Sequence, residues 1–194
     1  MKKNDYENGG EYALYIVSGF AIIVIILLTL ASLSSCVNPS DNLITIKAGH
    51  HRAILAPVPH VGNEIYFTFI VNESWLQQSD WINKISGFSL GDIHENSARL
   101  GWRYDGDRII AYAYTYVEGV RYAEAFSTLQ VDQEYTCQIT KEGDIYHFRL
   151  NESECKVPAA GWCPGNVLLP YIGGDDTFDR DWWVIIKISG LEQL

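Results

Sequence analysis

Apolar residues recur along this chain in two distinct patterns. From Ala13 to Leu33 no charge interrupts an apolar segment whose centre reads AIIVIILLTLA, about the length that spans a bilayer. Beyond Cys36 the apolar residues come in short runs, mostly alternating and rich in branched and aromatic side chains, and turn residues separate them. No window there holds a helical period. The pattern predicts strands near Leu43–Ile46, Ile65–Val71, Ala98–Tyr104, Ile109–Val117, Arg121–Leu129, Tyr135–Thr140, Ile145–Leu150, Val167–Tyr171 and Val184–Ser189. Ser74–Trp81 reads as a loop or brief helix. Nine or ten strands in this length imply two packed antiparallel sheets, an all-β sandwich. Pairing of the first strand with the last would close it, as jelly rolls often do. Pro170 demotes its run to an edge or a bulge.

One stretch carries a chemically organised face. In Ser97–Tyr116, SARLGWRYDGDRIIAYAYTY, Asp105-Gly106 supplies the turn of a hairpin. A two-residue loop pairs Tyr104 with Asp107, and so places Arg99 opposite Tyr112 and Ser97 opposite Tyr114. A four-residue loop changes these partners but keeps the faces. One face then carries Ala98, Leu100, Trp102, Ile109, Ala111 and Ala113, a core face. The other carries Ser97, Arg99, Arg103, Tyr112, Tyr114 and Tyr116. Tyr and Arg are ordinary residues for a solvated sheet surface, but three alternating tyrosines beside fixed donors also suit a sugar-binding cleft, where rings stack on pyranose faces. His94, three positions before Ser97, is expected at the mouth of that cleft, ahead of His50, His51 and His60.

The apolar segment near the N-terminus reads as an export signal or anchor over residues 1–36, followed by a polar tether at 37–42 and a single domain at 43–194. It closes with Leu33-Ser34-Ser35-Cys36, which resembles the lipobox of bacterial lipoproteins, so Cys36 is the expected lipidation site. Asp5, Glu7 and Glu11 offset Lys2 and Lys3 and leave an uncleaved signal anchor as the alternative. Both place the domain in the bacterial cell envelope, outside the cytoplasm, with the membrane as a partner through a lipid or an N-terminal helix.

Charge narrows the partners further. With 24 acids against 14 bases the net charge is −10, which argues against nucleic acid, although Lys84, Arg99, Arg103 and Arg121 form a candidate basic cluster. Cys155 and Cys163 flank a short Pro- and Gly-containing loop and are the expected disulfide, with Cys137 a buried thiol. No metal-ligand spacing, P-loop, dinucleotide fingerprint or nucleophile elbow occurs, so neither metal nor cofactor is expected. Gly173–Asp179 lacks the acidic spacing of an EF-hand loop and reads as a solvated turn.

Ser97-Ala98-Arg99 and Tyr112-Ala113-Tyr114, with Trp102 between them and Asn83-Lys84-Ile85-Ser86-Gly87 upstream, resemble the polysaccharide lyases that cleave alginate and glucuronan. The resemblance implies a concanavalin A-like jelly roll and, as site residues, Lys84, Ser97, Arg99, Tyr112 and Tyr114. Asn83 and Ser86 stand where that pattern has glycine and proline. The chain also resembles small bacterial lipoproteins, a likeness that implies no activity. For a lyase, Lys84 and Arg99 would neutralise the substrate carboxylate, a tyrosine (Tyr112, if it lies opposite Arg99, ahead of Tyr114) would take the C5 proton, and the same or a neighbouring phenol would protonate the leaving oxygen. His94, Ser97, Arg103 and Tyr116 would contact substrate. The sequence thus supports a membrane-anchored jelly roll that binds polysaccharide, with β-elimination of uronic-acid polymers as the implied chemistry. The alternative is a non-catalytic structural or protein-binding lipoprotein.

Overall fold

A computed structural model describes residues 43–53, 58–161, 165–173 and 178–189. Cys36, Cys163 and the whole of 1–42 lie outside the described residues, as does part of the Gly173–Asp179 stretch. Among the described residues no helix is long and apolar enough to cross a membrane.

Twelve strands follow in order: β1 Leu43–Ile46, β2 Val58–His60, β3 Glu64–Ile70, β4 Asn83–Ser89, β5 Ser97–Tyr104, β6 Ile109–Val117, β7 Val120–Leu129, β8 Glu134–Glu142, β9 Ile145–Leu150, β10 Ser153–Pro158, β11 Gly165–Leu168 and β12 Trp182–Ile188. They form two six-stranded sheets, β1-β12-β3-β8-β9-β10 and β2-β11-β4-β5-β6-β7, and every ladder is antiparallel. This is a jelly-roll sandwich, closed as the sequence predicts by pairing of β1 with β12, where Leu43 meets Ile185.

Period-two alternation explains which face each strand buries. Ile65, Phe67 and Phe69 of β3 point inward, as do Tyr135, Cys137 and Ile139 of β8 and Tyr146, Phe148 and Leu150 of β9. From the opposing sheet they meet Phe88, Ala98, Leu100, Trp102, Ile109, Ala111 and Ala113, which includes the whole core face expected of the hairpin. Each large apolar side chain so buried contributes about 2 kcal/mol. A 3-10 turn, Glu73–Trp75, inserts Trp75 beside Trp102 and Trp182, with ring centroids 4.7 and 5.3 Å away. Asn72 Nδ2, Ser74 Oγ and Trp75 Nε1 all donate to the Trp183 carbonyl and hold the turn against β12.

Several expectations change. β2, β4 and β10 are strands that the pattern does not announce. β11 is internal, between β2 and β4, and ends at Leu168 before Pro170, so the proline interrupts no ladder. Cys137 is fully buried as expected, and burial raises its thiol pKa. Cys155 has no disulfide partner among the described residues, and burial and the neighbouring Glu124 push its pKa up to about 11; Cys163, its expected partner, lies outside them.

Candidate functional site

The β5–β6 hairpin closes with four loop residues, Asp105 to Arg108, and Tyr104 therefore pairs with Ile109. Asp105 is the reason. Its Oδ1 accepts from the backbone N–H of Asp107 and of Arg108, both at 3.0 Å, a side-chain-mediated turn that needs positive φ only at Gly106. The two-residue loop would have needed it at both central positions, as the Glu118-Gly119 turn between β6 and β7 shows with φ of 50° and 78°. The register moves by two residues and the faces survive. Arg99 lies opposite Tyr114 instead of Tyr112, Ser97 opposite Tyr116 instead of Tyr114, and Tyr112 opposite Gly101.

β4 supplies Lys84 to the same face. Its register against β5 shifts between Lys84 and Ser86, a bulge that places Lys84 opposite Gly101 and Gly87 opposite Arg99. On the other side of β4, Lys84 and Tyr171 exchange backbone hydrogen bonds of 2.8 and 2.9 Å, which sets the Tyr171 ring beside the lysine. The Lys84 ammonium sits 4.5 Å from the Tyr114 ring centroid and 5.7 Å from that of Tyr171, while the Arg103 guanidinium lies 5.8 Å from that of Tyr112. Tyr114 and Tyr116 meet edge to face at 5.9 Å, and His94 meets Tyr116 likewise at 5.5 Å. His51 stacks on Tyr171 at 5.7 Å.

The structure therefore gathers Lys84, Arg99, Arg103, Tyr112, Tyr114, Tyr116 and, at the rim, His94. It does not free Ser97, which is fully buried and donates its hydroxyl to the Ile93 carbonyl at 2.8 Å, so it tethers the preceding turn instead of facing a ligand. Tyr171 was not visible as a site residue, because its place depends on a long connection that returns beside β4. Arg121, opposite Tyr116 on β7, was visible only as charge.

Charge balance at this face is unusual. Arg99 is 5% exposed and Lys84 8%. Among the described residues no carboxylate forms an ion pair with Lys84, Arg99, Arg103 or Arg121, and Nε of both Arg99 and Arg103 is buried without a hydrogen-bond partner. Burial, then repulsion from Arg99 and Arg121, lowers the Lys84 pKa to about 8. Burial, then contact with Tyr116, raises that of Tyr114 to about 12 and outweighs the cations beside it. A phenolate base at Tyr114 is thereby disfavoured, and Tyr112 lies opposite Gly101 instead of Arg99.

These shifts give a signed prediction for the ligand-free protein. Lys84 titrates near 8 when folded and near its ordinary 10.5 when unfolded, so the unfolded chain binds more protons between these values and stability rises with pH across that window. Above pH 10 Tyr114 opposes the trend, because the unfolded tyrosine loses its proton first. Denaturant unfolding of the wild type minus Lys84→Met should show a rise of about 2 kcal/mol from pH 8 to 10.5. A flat difference would refute the titration.

Two surface concavities lie elsewhere. One of about 170 Å³ is lined by side chains of β8, β9 and β10 and includes the Arg149–Glu154 ion pair, and one of about 270 Å³ lies near His60, Glu64 and Val167. Neither has the convergence of unpaired cations and rings seen at Arg99. Among the described residues no group of three or more His, Cys, Asp or Glu gathers to hold a metal.

No protein-family model matches the chain, and no curated protein matches it. Solved structures to which it is similar include a functionally unknown protein from Saccharomyces cerevisiae at 9% identity and a TM-score of 0.46, over 77% of this chain and 85% of that one. A homodimeric agglutinin from chicken liver, CG-16, aligns at 12% identity and a TM-score of 0.40, over 76% and 96% of the two chains. A sialidase from Trypanosoma rangeli aligns at 14% and 0.43, over 73% of this chain and 24% of its own.

Proposed function

We propose that the chain binds an acidic carbohydrate on the outer face of β4–β7, with uronic-acid polymers as the substrate class. The observation that carries this reading is Arg99, almost fully buried, with no counter-ion among the described residues and a buried Nε that has no hydrogen-bond partner, beside a second buried cation. An unpaired buried charge costs several kcal/mol, and an anionic ligand would offset that cost. Half-buried Tyr116 adds flat apolar surface of the kind that stacks on pyranose rings, while Tyr112 and Tyr114 are buried, at 9% and 5% exposure. Calorimetric titration with oligouronates tests it: submillimolar binding lost in Arg99→Met supports the reading, and absence of binding to any acidic oligosaccharide overturns it.

A second reading, β-elimination, draws on the values at Lys84 and Tyr114. Near pH 8 about half of Lys84 is a neutral amine, while Tyr114 keeps its proton. In that chemistry Lys84 Nζ would take the C5 proton of a bound uronate and Arg99 would hold its carboxylate. The C4–O bond would break as the C4=C5 double bond forms, and Tyr114 would protonate the departing oxygen. The roles inferred from sequence are thus exchanged between lysine and tyrosine. Incubation with alginate and glucuronan should generate absorbance from an unsaturated product, lost in Lys84→Met; a silent assay with intact binding leaves a binding protein.

Display at the cell envelope belongs to the same proposal, on the strength of the lipobox-like Leu33-Ser34-Ser35-Cys36. Cys36→Ser should abolish metabolic lipid labelling and leave an unprocessed precursor, and labelling that persists would remove lipidation.

A further inference from the structure

Resting on the acidic-carbohydrate reading, we infer that the ligand is a linear polyanion that lies along strand β6, with Arg103 and Arg121 as the two ends of its track. The inference comes from how the cations are distributed over the cross-strand rows of the sheet. Arg103 lies opposite Ile110; Lys84, Gly101 and Tyr112 share the next row; Arg99 and Tyr114 share the third; Ser97, Tyr116 and Arg121 share the fourth. Each row holds one cation. Neighbouring rows are two residues apart along a strand, about 7 Å, so the four rows span roughly 20 Å.

A ligand laid across the strands would meet a single cation whichever row it followed. The third row, for example, reads Leu168, Gly87, Arg99, Tyr114, Ala123. A ligand laid along β6 meets all four, and its path follows the Tyr112, Tyr114 and Tyr116 rings. The side chains lean the same way: Arg103 reaches over Tyr112 and Lys84 over Tyr114, each towards the Arg121 end. On the β7 side the track is bordered by Ala123 and Ala125, which face solvent and add little bulk beside Tyr114 and Tyr112. Arg121 forms no ion pair with a described residue, yet its charge reaches Lys84 and Tyr114, so it belongs electrostatically to the buried pair.

Size series of a carboxylated and of a sulfated oligosaccharide, from one to six residues, provide the test at two salt concentrations. Affinity should climb at least a hundredfold from monomer to hexamer, with a steeper salt dependence for the hexamer because more counterions are displaced. Arg103→Ala and Arg121→Ala should each cut the hexamer-to-monomer ratio about tenfold, whereas Arg108→Ala, an exposed cation of the hairpin loop beside Asp105, should leave it unchanged. Equal affinity for monomer and hexamer, or equal losses for both in the two variants, would overturn the track and leave the anion site standing. Failure of every oligomer in both series would overturn the site and the track together. Thermal unfolding of the variants, both altered outside the core, identifies any loss due to misfolding, and in that case Arg→Gln replacements give the same comparison.

Discussion

Arg99→Met is expected to abolish anion binding and, in the same molecule, to raise the thermal midpoint of the free protein. Methionine fills much of the space of the arginine stem and carries no charge into a site where the guanidinium lacks an acidic partner among the described residues. Replacement of buried charge by apolar volume is commonly neutral or stabilising, here by about 1–2 kcal/mol, or roughly 2–6 °C in a domain of this size. Loss of the cation that faces the ligand should weaken binding by about 2–5 kcal/mol, thirtyfold or more. The Lys84 pKa should rise as well, since Arg99 is the larger source of its repulsion. Calorimetric titration and a thermal melt on one preparation decide the matter. A destabilised variant that still binds would mean that Arg99 serves the fold and not a ligand.

A large loss of stability is expected from Gly87→Ala, a change of one methyl group. A Cβ at position 87 would stand 2.0 Å from the Ala98 carbonyl oxygen and 2.6 Å from Arg99 Cα, both backbone atoms that no side-chain rotation can clear. β4 and β5 would have to separate beside the bulge that aims Lys84 and Arg99 at the same face. Overpacking against backbone should cost about 3 kcal/mol or more, a fall of roughly 6–12 °C. The cross-strand position of Arg99 should be lost with it. A variant that melts within a degree or two of wild type would show that the two strands tolerate separation.

How far the sequence discloses this site depends on which forces set each part. The core face of the hairpin was legible in full, because alternation between apolar and polar residues reports which side meets the opposing sheet. The faces were right even though the partners were not: whether Asp105 starts a two- or a four-residue loop is settled by hydrogen bonds from its carboxylate to Asp107 and Arg108, which spacing does not encode. β4 escaped notice because all seven of its residues are buried, so Asn83-Lys84-Ile85-Ser86-Gly87 shows no alternation, and the bulge breaks what phase there is. Tyr171 escaped for a different reason. It reaches Lys84 through an isolated bridge between residues far apart in sequence, and no local pattern registers such a contact. The opposite pKa shifts of Lys84 and Tyr114 were also out of reach, since the direction of each is set mainly by burial.

The pairing of β1 with β12 makes the order in which the strands are joined separable from their arrangement. Leu43 opens the first strand opposite Ile185, close to where the last one ends, and the two run antiparallel as the arms of a hairpin would. A few linking residues could replace that gap, and the chain could then begin elsewhere. The two-residue turn at Gly143-Asp144 joins β8 to β9 in the sheet that does not carry Arg99, so an opening there would leave β4 to β7 continuous. A circular permutant cut at that turn would keep the basic face whole, and its new termini, on the other sheet, would be available for a reporter or a second binding module.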